Sequence, residues 1–280
     1  MKEKNICFNV ESDVNRIECD FVNADVSIEV SQDNVLKIEY GGAKNVHIGN
    51  GESGLIISQK KRLFCGRQRF KIFVPAYVIP SVAVNGKHVD FFVSGGVSDG
   101  IFGELSLNID SGNIYLSSSV FESVAINGDE INASLDCATV KGDLYLRIVK
   151  GDVLAENTFA THCECRLDRG NIGLVNFDCK NSSFDTQEGN VTANLSGNAE
   201  NFNCELIARE GTVNRESSLK SGAEGTFHAY AKKGNIVLDF TESKPLNVLD
   251  EAAATDAESI APAEEASQTA TDEKSEKEFN

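Results

Sequence analysis

The segment His162-Cys163-Glu164-Cys165 carries the side chains best suited to metal binding or nucleophilic chemistry. Three other cysteines in neighbouring segments make a shared thiolate site one interpretation: Cys137, Cys179 and Cys204. On a strand, alternate residues share a face, so Cys163 and Cys165 would point inward and His162 would point to solvent. The pattern therefore favours small core thiols over a metal centre or a nucleophile.

A glycine-rich segment, Gly49 to Gly54, matches the spacing of a dinucleotide-binding loop and follows a plausible strand from Val46 to Ile48. That chemistry needs a helix N-terminus directly after the loop to meet the pyrophosphate. Residues 55–58 read Leu-Ile-Ile-Ser, which is typical of a strand. The segment predicts a hairpin turn, and no cofactor is expected from it.

Carboxylates on the expected outer face could serve glycoside cleavage, which needs two of them about 5 to 9.5 Å apart in a cleft. The candidates are Glu104, Asp110, Asp129, Asp136, Asp143, Asp152, Asp168 and Asp185. No pair among them stands out, and scattered acids commonly keep a protein soluble. We therefore predict a non-enzyme with no catalytic residue, with a carbohydrate-active β-helix enzyme as the alternative.

One stretch, residues 60–71, contains six basic residues and no acid. Its basic and exposed aromatic side chains could contact an anionic surface, such as lipid headgroups or an acidic partner. The residues concerned are Lys60, Lys61, Arg62, Phe64, Arg67, Arg69 and Lys71. The alternative is a solvated β-hairpin whose charged edge discourages aggregation.

These side chains have to be positioned by strands, because apolar residues alternate with polar ones in segment after segment. Examples are Val26-Ile28-Val30, Phe70-Ile72-Val74 and Leu105-Leu107-Ile109. No segment before residue 246 combines a sustained helical period with capping residues. The sequence predicts an all-β protein.

A glycine followed by Asn, Asp or Thr and an aliphatic residue recurs along the chain, at Gly112, Gly151, Gly170, Gly189, Gly211 and Gly234. The successive intervals are 39, 19, 19, 22 and 23 residues, and Gly128 and Gly142 leave the register inside the first interval open. Such a period predicts stacked coils of about 20 residues in a β-solenoid, with these glycines at the turns. A β-sandwich is the alternative fold. The pattern of leucine-rich repeats, including their asparagine ladder, is not recognised.

A strand ending in Val-Pro, Arg69 to Pro75, precedes glycine-punctuated strands and serial units of the kind Ser111-Gly112-Asn113-Ile114. In these features the chain resembles the bacterial putative-adhesin domain, over about residues 10 to 240. The resemblance implies a β-solenoid of unknown function that acts as a non-catalytic interaction or scaffold protein. It also implies a link to the cell envelope or to an envelope-stress response.

The chain of 280 residues has a formal net charge of −17, which argues against nucleic acid as a partner. We divide it into a solenoid domain, residues 1–245, and a disordered acidic tail, residues 246–280, which contains ten acids and two lysines. No signal peptide or membrane-spanning segment is recognised. We therefore expect a cytoplasmic protein, with the cell surface as the alternative, and peripheral membrane contact stays open. The protein or envelope partner is not identified by the sequence.

Overall fold

The structure is a computed structural model that describes residues 4–8, 14–41, 46–51, 54–60, 66–95 and 101–242; for 4–8 and 101 it describes the backbone only. The strands of this part form one 17-stranded sheet. A short 3-10 turn, Ala199–Asn201, lies between two of them. In chain order they are β1 (Lys4–Phe8), β2 (Arg16–Ser31), β3 (Leu36–Gly41), β4 (Val46–Gly51), β5 (Gly54–Gln59), β6 (Gln68–Pro75), β7 (Ser81–Ser94), β8 (Ile101–Ser117), β9 (Val120–Asp136), β10 (Thr139–Lys150), β11 (Val153–Glu156), β12 (Phe159–Arg169), β13 (Ile172–Glu188), β14 (Val191–Ser196), β15 (Phe202–Glu210), β16 (Gly225–Lys233) and β17 (Ile236–Thr241). The all-β prediction is confirmed.

Successive coils of the chain pair with one another in parallel. Strand β2 pairs with β7, β7 with β8 and β8 with β9. The first part of β9 then pairs with β10 and its last part with β11, because the next coil is interrupted at a corner between these two strands. The β-solenoid prediction is confirmed. The sandwich alternative is wrong, because a sandwich requires antiparallel sheets packed face to face.

The core follows from the alternation seen in the sequence. In β8, Leu105, Leu107 and Ile109 are buried, whereas the residues between them face outward. Buried rings also stack from coil to coil, as in the pair Phe102 and Phe121, whose centroids lie 5.5 Å apart. A single coil could not enclose such a core, so each coil is stabilised by burying its apolar side chains against its neighbours.

At the C-terminal end, the spatial order of the coils departs from the chain order. Strand β13 pairs with β16, and β15 pairs with the other edge of β16. The coil of β16 and β17 therefore lies between the coil that contains β13 and the coil that contains β15, although β15 comes before β16 in the chain. Residues 217–218 cover part of the edge of β15, where Cys204 and Ser218 exchange backbone hydrogen bonds of 2.8 Å.

At the N-terminal end, the stack finishes in antiparallel strands. Strand β3 pairs antiparallel with β1 and β6, and β4 forms an antiparallel hairpin with β5, in which Gly51 faces Gly54. The hairpin predicted for the glycine-rich segment is confirmed. The basic segment, in contrast, does not connect a hairpin: β5 and β6 both run parallel to β2. The hairpin interpretation of residues 60–71 is therefore wrong, because the two flanking strands belong to one coil.

Two sequence predictions fall outside the described residues. They are the tail, residues 246–280, and the part of the basic segment that contains Lys61, Arg62 and Phe64. Within the part of the chain that is described, no helix is long and apolar enough to cross a membrane.

Candidate functional site: a corner ladder and an axial groove

The repeat glycines form a column at one corner of the coils. At five of these positions, an added Cβ atom would lie 1.8 or 1.9 Å from a backbone carbonyl oxygen of the neighbouring coil. For Gly151 this oxygen belongs to Ile131, and for the other four it belongs to the corner glycine of the neighbouring coil. These five are Gly151, Gly170, Gly189, Gly234 and Gly211, in their spatial order. All but Gly211 also have a positive φ, between 139° and 155°. The corner therefore brings backbones closer together than a side chain would permit.

The interval of 39 residues between Gly112 and Gly151 contains a coil without glycine at this corner. Gly112 pairs with Ile131, whose carbonyl oxygen in turn faces Gly151. Gly128 instead pairs with Ile109 and Ile148, and Gly142 approaches the carbonyl oxygen of Glu122. Neither of the two candidate glycines occupies the corner.

The residue after each corner position belongs to a ladder of side chains that runs from coil to coil. Asn171 donates its backbone N–H and its side-chain amide to Asp152 Oδ1, at 2.7 and 3.0 Å. Asn190 repeats both bonds to Asn171. In spatial order the ladder consists of Asp90, Asn113, Asn132, Asp152, Asn171, Asn190, Asn235 and Thr212. This ladder was not predicted, because the sequence lacks the leucine-rich-repeat pattern with which an asparagine ladder was associated.

Arg67, from the basic segment, ends the ladder. Its guanidinium donates to Asp90, the first ladder residue, and through Nε to Asp25 Oδ1 at 2.5 Å. Asp25 and Asp90 are aligned on neighbouring strands, so two carboxylates converge on one cation. The hydrogen bond to Asp25 is the main cause that raises the pKa of Arg67. Arg67 therefore holds two adjacent acids together at the corner.

Two other described side chains of the basic segment are more exposed than Arg67. Arg69 has 84% of its side chain exposed, and its Nε is 4.0 Å from Asp25 Oδ2. Lys71 lies 3.7 Å from Glu29, with about half of its side chain exposed. Lys60 directly follows β5 and is exposed. Of the predicted anionic-surface contact, the structure thus places Arg67 in an ion-pair cluster and leaves Arg69 largely exposed.

A second corner of the coils lacks the repeated glycines that mark the first corner. Four residues other than glycine have a positive φ there, between 46° and 52°: Ser118, Cys137, Asn157 and Asn176. Asn176 donates its side-chain amide to Asn157, 3.0 Å away, which adds a short side-chain ladder at this corner. The interpretation of Cys137 as a core thiol is therefore wrong, because it is only half-buried at this turn.

The remaining cysteines of the candidate metal site are core residues. Cys163, Cys165, Cys179 and Cys204 are buried, whereas His162 is exposed, which confirms the predicted alternation. Burial raises the pKa of the thiols of Cys163 and Cys165, and it raises that of Cys179 to about 12. Within the described ranges, no three His, Cys, Asp or Glu side chains are placed to hold a metal ion.

An open groove of about 550 Å³ crosses four neighbouring coils, parallel to the solenoid axis. Its floor is formed by buried residues such as Cys163 and Ser182, between two columns of outward side chains. One wall consists of Asp143, His162, Asn181 and Thr226, which are aligned from strand to strand. The other wall, two residues further along each strand, consists of Tyr145, Glu164, Ser183 and His228.

Hydrogen bonds between coils fix the first wall. Thr226 donates its hydroxyl to Asn181 Oδ1 at 3.0 Å, which directs the Asn181 amide toward His162 Nδ1, 3.3 Å away. In this arrangement Nδ1 of a neutral His162 accepts, so the ring proton is on Nε2.

Side-chain contacts with two carboxylates fix the second wall. Arg166 Nε lies 2.7 Å from Glu164, and His228 Nδ1 lies 2.9 Å from Glu205. The groove thus presents hydroxyl, amide, imidazole and carboxylate groups in fixed positions.

Part of the groove is visible in the sequence when the corner glycines serve as reference points. The first wall lies eight residues before Gly151, Gly170, Gly189 and Gly234, and the second wall lies six residues before them. The outward positions of His162 and Glu164 were predicted correctly, whereas their alignment with Asp143 and Ser183 was not predicted. The place of His228 beside Ser183 is not visible in the chain order, because β16 pairs with β13 although β15 comes first.

Comparison with known proteins agrees with this architecture. A putative adhesin from Bacteroides fragilis matches 86% of this chain and 97% of its own, with 14% identity and a TM-score of 0.53. A putative adhesin from Parabacteroides merdae matches 86% of this chain and 95% of its own, with 14% identity and a TM-score of 0.51. At such low identity these likenesses show the fold. No curated protein matches the chain.

The family comparison covers the same part of the chain as the solenoid. The family model described as Toastrack DUF4097 matches residues 14–240, which includes both corners, the ladder and the groove. The resemblance to the bacterial putative-adhesin domain is thereby confirmed. This chain belongs to the Toastrack DUF4097 family.

Proposed function

We propose that the protein is a non-catalytic binding protein of the adhesin type, which presents its solenoid surface to a component of the bacterial envelope. The axial groove is the observation that carries this proposal. Its size is within the range of about 300 to 1,000 Å³ for ligand sites, and polar side chains converge on it. The side-chain ladder supports the same role, because it joins the coils that carry the walls.

The basic segment supports a second contact with the envelope. Arg69 is largely exposed, so it is free to approach an anionic headgroup, as we propose for the segment as a whole. Arg67 would contribute less, since Asp25 and Asp90 already engage its guanidinium. The link to envelope stress is part of this proposal and rests on the family resemblance alone.

Glycoside cleavage is the second candidate function. The observation in its favour is that Asp143 and Glu164 line the same groove from adjacent coils, as two carboxylates of a glycosidase would. Against it, the carboxylate of Glu164 is already engaged by Arg166, whose Nε lies 2.7 Å away. Incubation with polysaccharides distinguishes the two functions, because cleavage releases new reducing ends and binding alone does not.

Binding to purified bacterial sacculi and to vesicles of bacterial lipids tests the proposed function. The variant Ser183→Trp fills the centre of the groove with an outward-facing ring, and Ser106→Trp is its matched control. Ser106 faces outward in the same column of side chains, but on a coil beyond the groove. We expect the wild type and Ser106→Trp to sediment with the envelope fractions. Failure of the wild type to bind either fraction would contradict the proposal.

A further inference from the structure

We propose that the groove binds a neutral oligosaccharide chain that lies along the solenoid axis, an inference that rests on the binding role proposed above. The spacing of the coils suits an extended ligand. Neighbouring coils are spaced by about 4.8 Å, the separation of paired strands. A ligand along the axis would meet one pair of wall residues per coil, such as His162 with Glu164 and then Asn181 with Ser183. An extended chain of repeating units fits such a site better than a compact ligand.

The paired backbone under the groove favours recognition by side chains. The groove lies on the face of the sheet, where residues 143–148, 162–167, 181–186 and 226–231 pair with one another in parallel ladders. An extended peptide is commonly recognised by adding a strand to a free sheet edge, and this face has no such edge. Recognition here depends on side chains. Hydroxyl groups of a sugar can donate to carboxylates and accept from amides and hydroxyls, which are the groups that the walls supply.

The charges that line the groove favour a neutral ligand. The lining includes the carboxylates of Asp143 and Glu164 and, among the described residues, neither lysine nor arginine. Arg166, at the rim, is paired with Glu164, and Glu205 pairs with His228 at the end of the groove. An anionic polysaccharide would meet like charge here. A neutral sugar avoids this repulsion and still uses the carboxylates as hydrogen-bond acceptors.

Tyr145 gives the groove an amphipathic end. Its side chain is half-buried in the second wall and lines the groove. An aromatic ring can pack against the apolar C–H face of a sugar, while its hydroxyl takes part in hydrogen bonding. The other wall residues are small or polar, so pockets for large apolar peptide side chains are absent from the described walls.

Binding of neutral hexasaccharides to the full chain tests this inference. The probes are the β-1,4-linked hexamers of glucose, mannose and N-acetylglucosamine, measured by calorimetry and by saturation-transfer NMR. We expect one of these hexamers to bind. Ser183→Trp should weaken its binding about tenfold or more, because the added ring fills the centre of the groove and excludes the ligand from its central contacts. The control variant Ser106→Trp should bind like the wild type. Thermal unfolding of both variants shows whether the substitutions leave the fold intact.

The alternatives give distinct results. Binding of an oligolysine peptide or an acidic oligosaccharide at this groove, with no neutral hexamer bound, would overturn the inference. Equal affinity of Ser183→Trp and Ser106→Trp for a neutral hexamer would also overturn it. If Ser183→Trp loses binding to sacculi while no neutral hexamer binds, the ligand class is wrong and the proposed binding function stands. If neither sacculi nor lipid vesicles bind, the proposed function fails as well.

Discussion

A Cβ atom on Gly170 would lie 1.8 Å from the carbonyl oxygen of Gly151 on the neighbouring coil. The φ of Gly170 is 139°, in a region that side chains disfavour. Strain and a backbone clash therefore act against any substitution of Gly170. The coils can approach each other here because Gly170 has no Cβ atom to meet the carbonyl oxygen of Gly151.

Gly170→Ala should lower the free energy of unfolding by at least about 1–3 kcal/mol, the usual cost of a residue in a strained conformation. Denaturant unfolding measures the loss. The matched control is Gly173→Ala, because a Cβ atom there would meet only the Cδ1 of the exposed Leu154, 3.2 Å away, and a backbone oxygen at 3.8 Å. We expect the control to stay within about 0.5 kcal/mol of the wild type. Equal losses in both variants would contradict the corner argument.

Arg67→Gln should destabilise the protein more than Arg69→Gln, although the two positions lie in the same basic segment. Arg67 pairs with the carboxylates of both Asp25 and Asp90, whereas Arg69 is mostly exposed. Because Arg67 is itself about half exposed, the expected loss is up to about 1 kcal/mol and should shrink at high salt. Denaturant unfolding at low and high ionic strength checks this order, and a reversed order would argue against the ion-pair cluster.

The double variant Arg62→Gln with Arg69→Gln should weaken binding to anionic lipid vesicles at low salt, at about 1 kcal/mol per basic residue. Binding of the wild type should also decline as the Debye length falls to about 8 Å near physiological ionic strength. Arg67 is left unchanged here, since its loss would disturb the ladder. The control is Arg147→Gln with Arg169→Gln, which removes the same charge from the middle of the solenoid. Equal binding by the two double variants would remove the basic segment as a contact.

Alkaline pH should destabilise the protein through its buried thiols. An unfolded cysteine loses its proton near its ordinary pKa of 9.0, whereas folded Cys179 holds it until about pH 12. Between these values the unfolded state binds fewer protons, so the free energy of unfolding falls as the pH rises. The contribution is fully present below pH 9.0 and is lost as pH approaches the folded value. Urea unfolding across this pH range measures how steeply the free energy of unfolding falls with pH. This fall should be less steep in Cys179→Ala than in the wild type, and an equally steep fall would assign the effect to other groups.

Truncation after Pro245 should leave the melting temperature unchanged. The last strand among the described residues ends at Thr241, and the predicted tail contains too few large apolar residues to offset the cost of ordering it. Thermal unfolding of the full and shortened chains measures the difference. A shift of several degrees would show that the tail docks on the solenoid.

The strands and the solenoid could be predicted from the sequence because alternation and the glycine period are local signals. Residues such as Leu105 and Leu107 report their own burial, and Gly151, Gly170 and Gly189 repeat at one phase. The corner at Ile131 could not be predicted, since an aliphatic residue there has no turn signature. The groove depends on which coils are neighbours. His228 joins Ser183 only because β16 lies beside β13, a long-range pairing that no local pattern specifies.

The position of β16 between β13 and β15 also constrains how the protein is made. Residues of β15 leave the ribosome before those of β16, yet the parallel ladder of β15 is formed with β16. Earlier coils can add to the stack as they emerge, whereas the coil of β15 has to wait for the residues translated after it. The last two coils therefore form as one unit, once synthesis has passed Thr241. A nascent chain that stops before Gly225 would lack both of them, and the strand edge of β13 would be left without its partner.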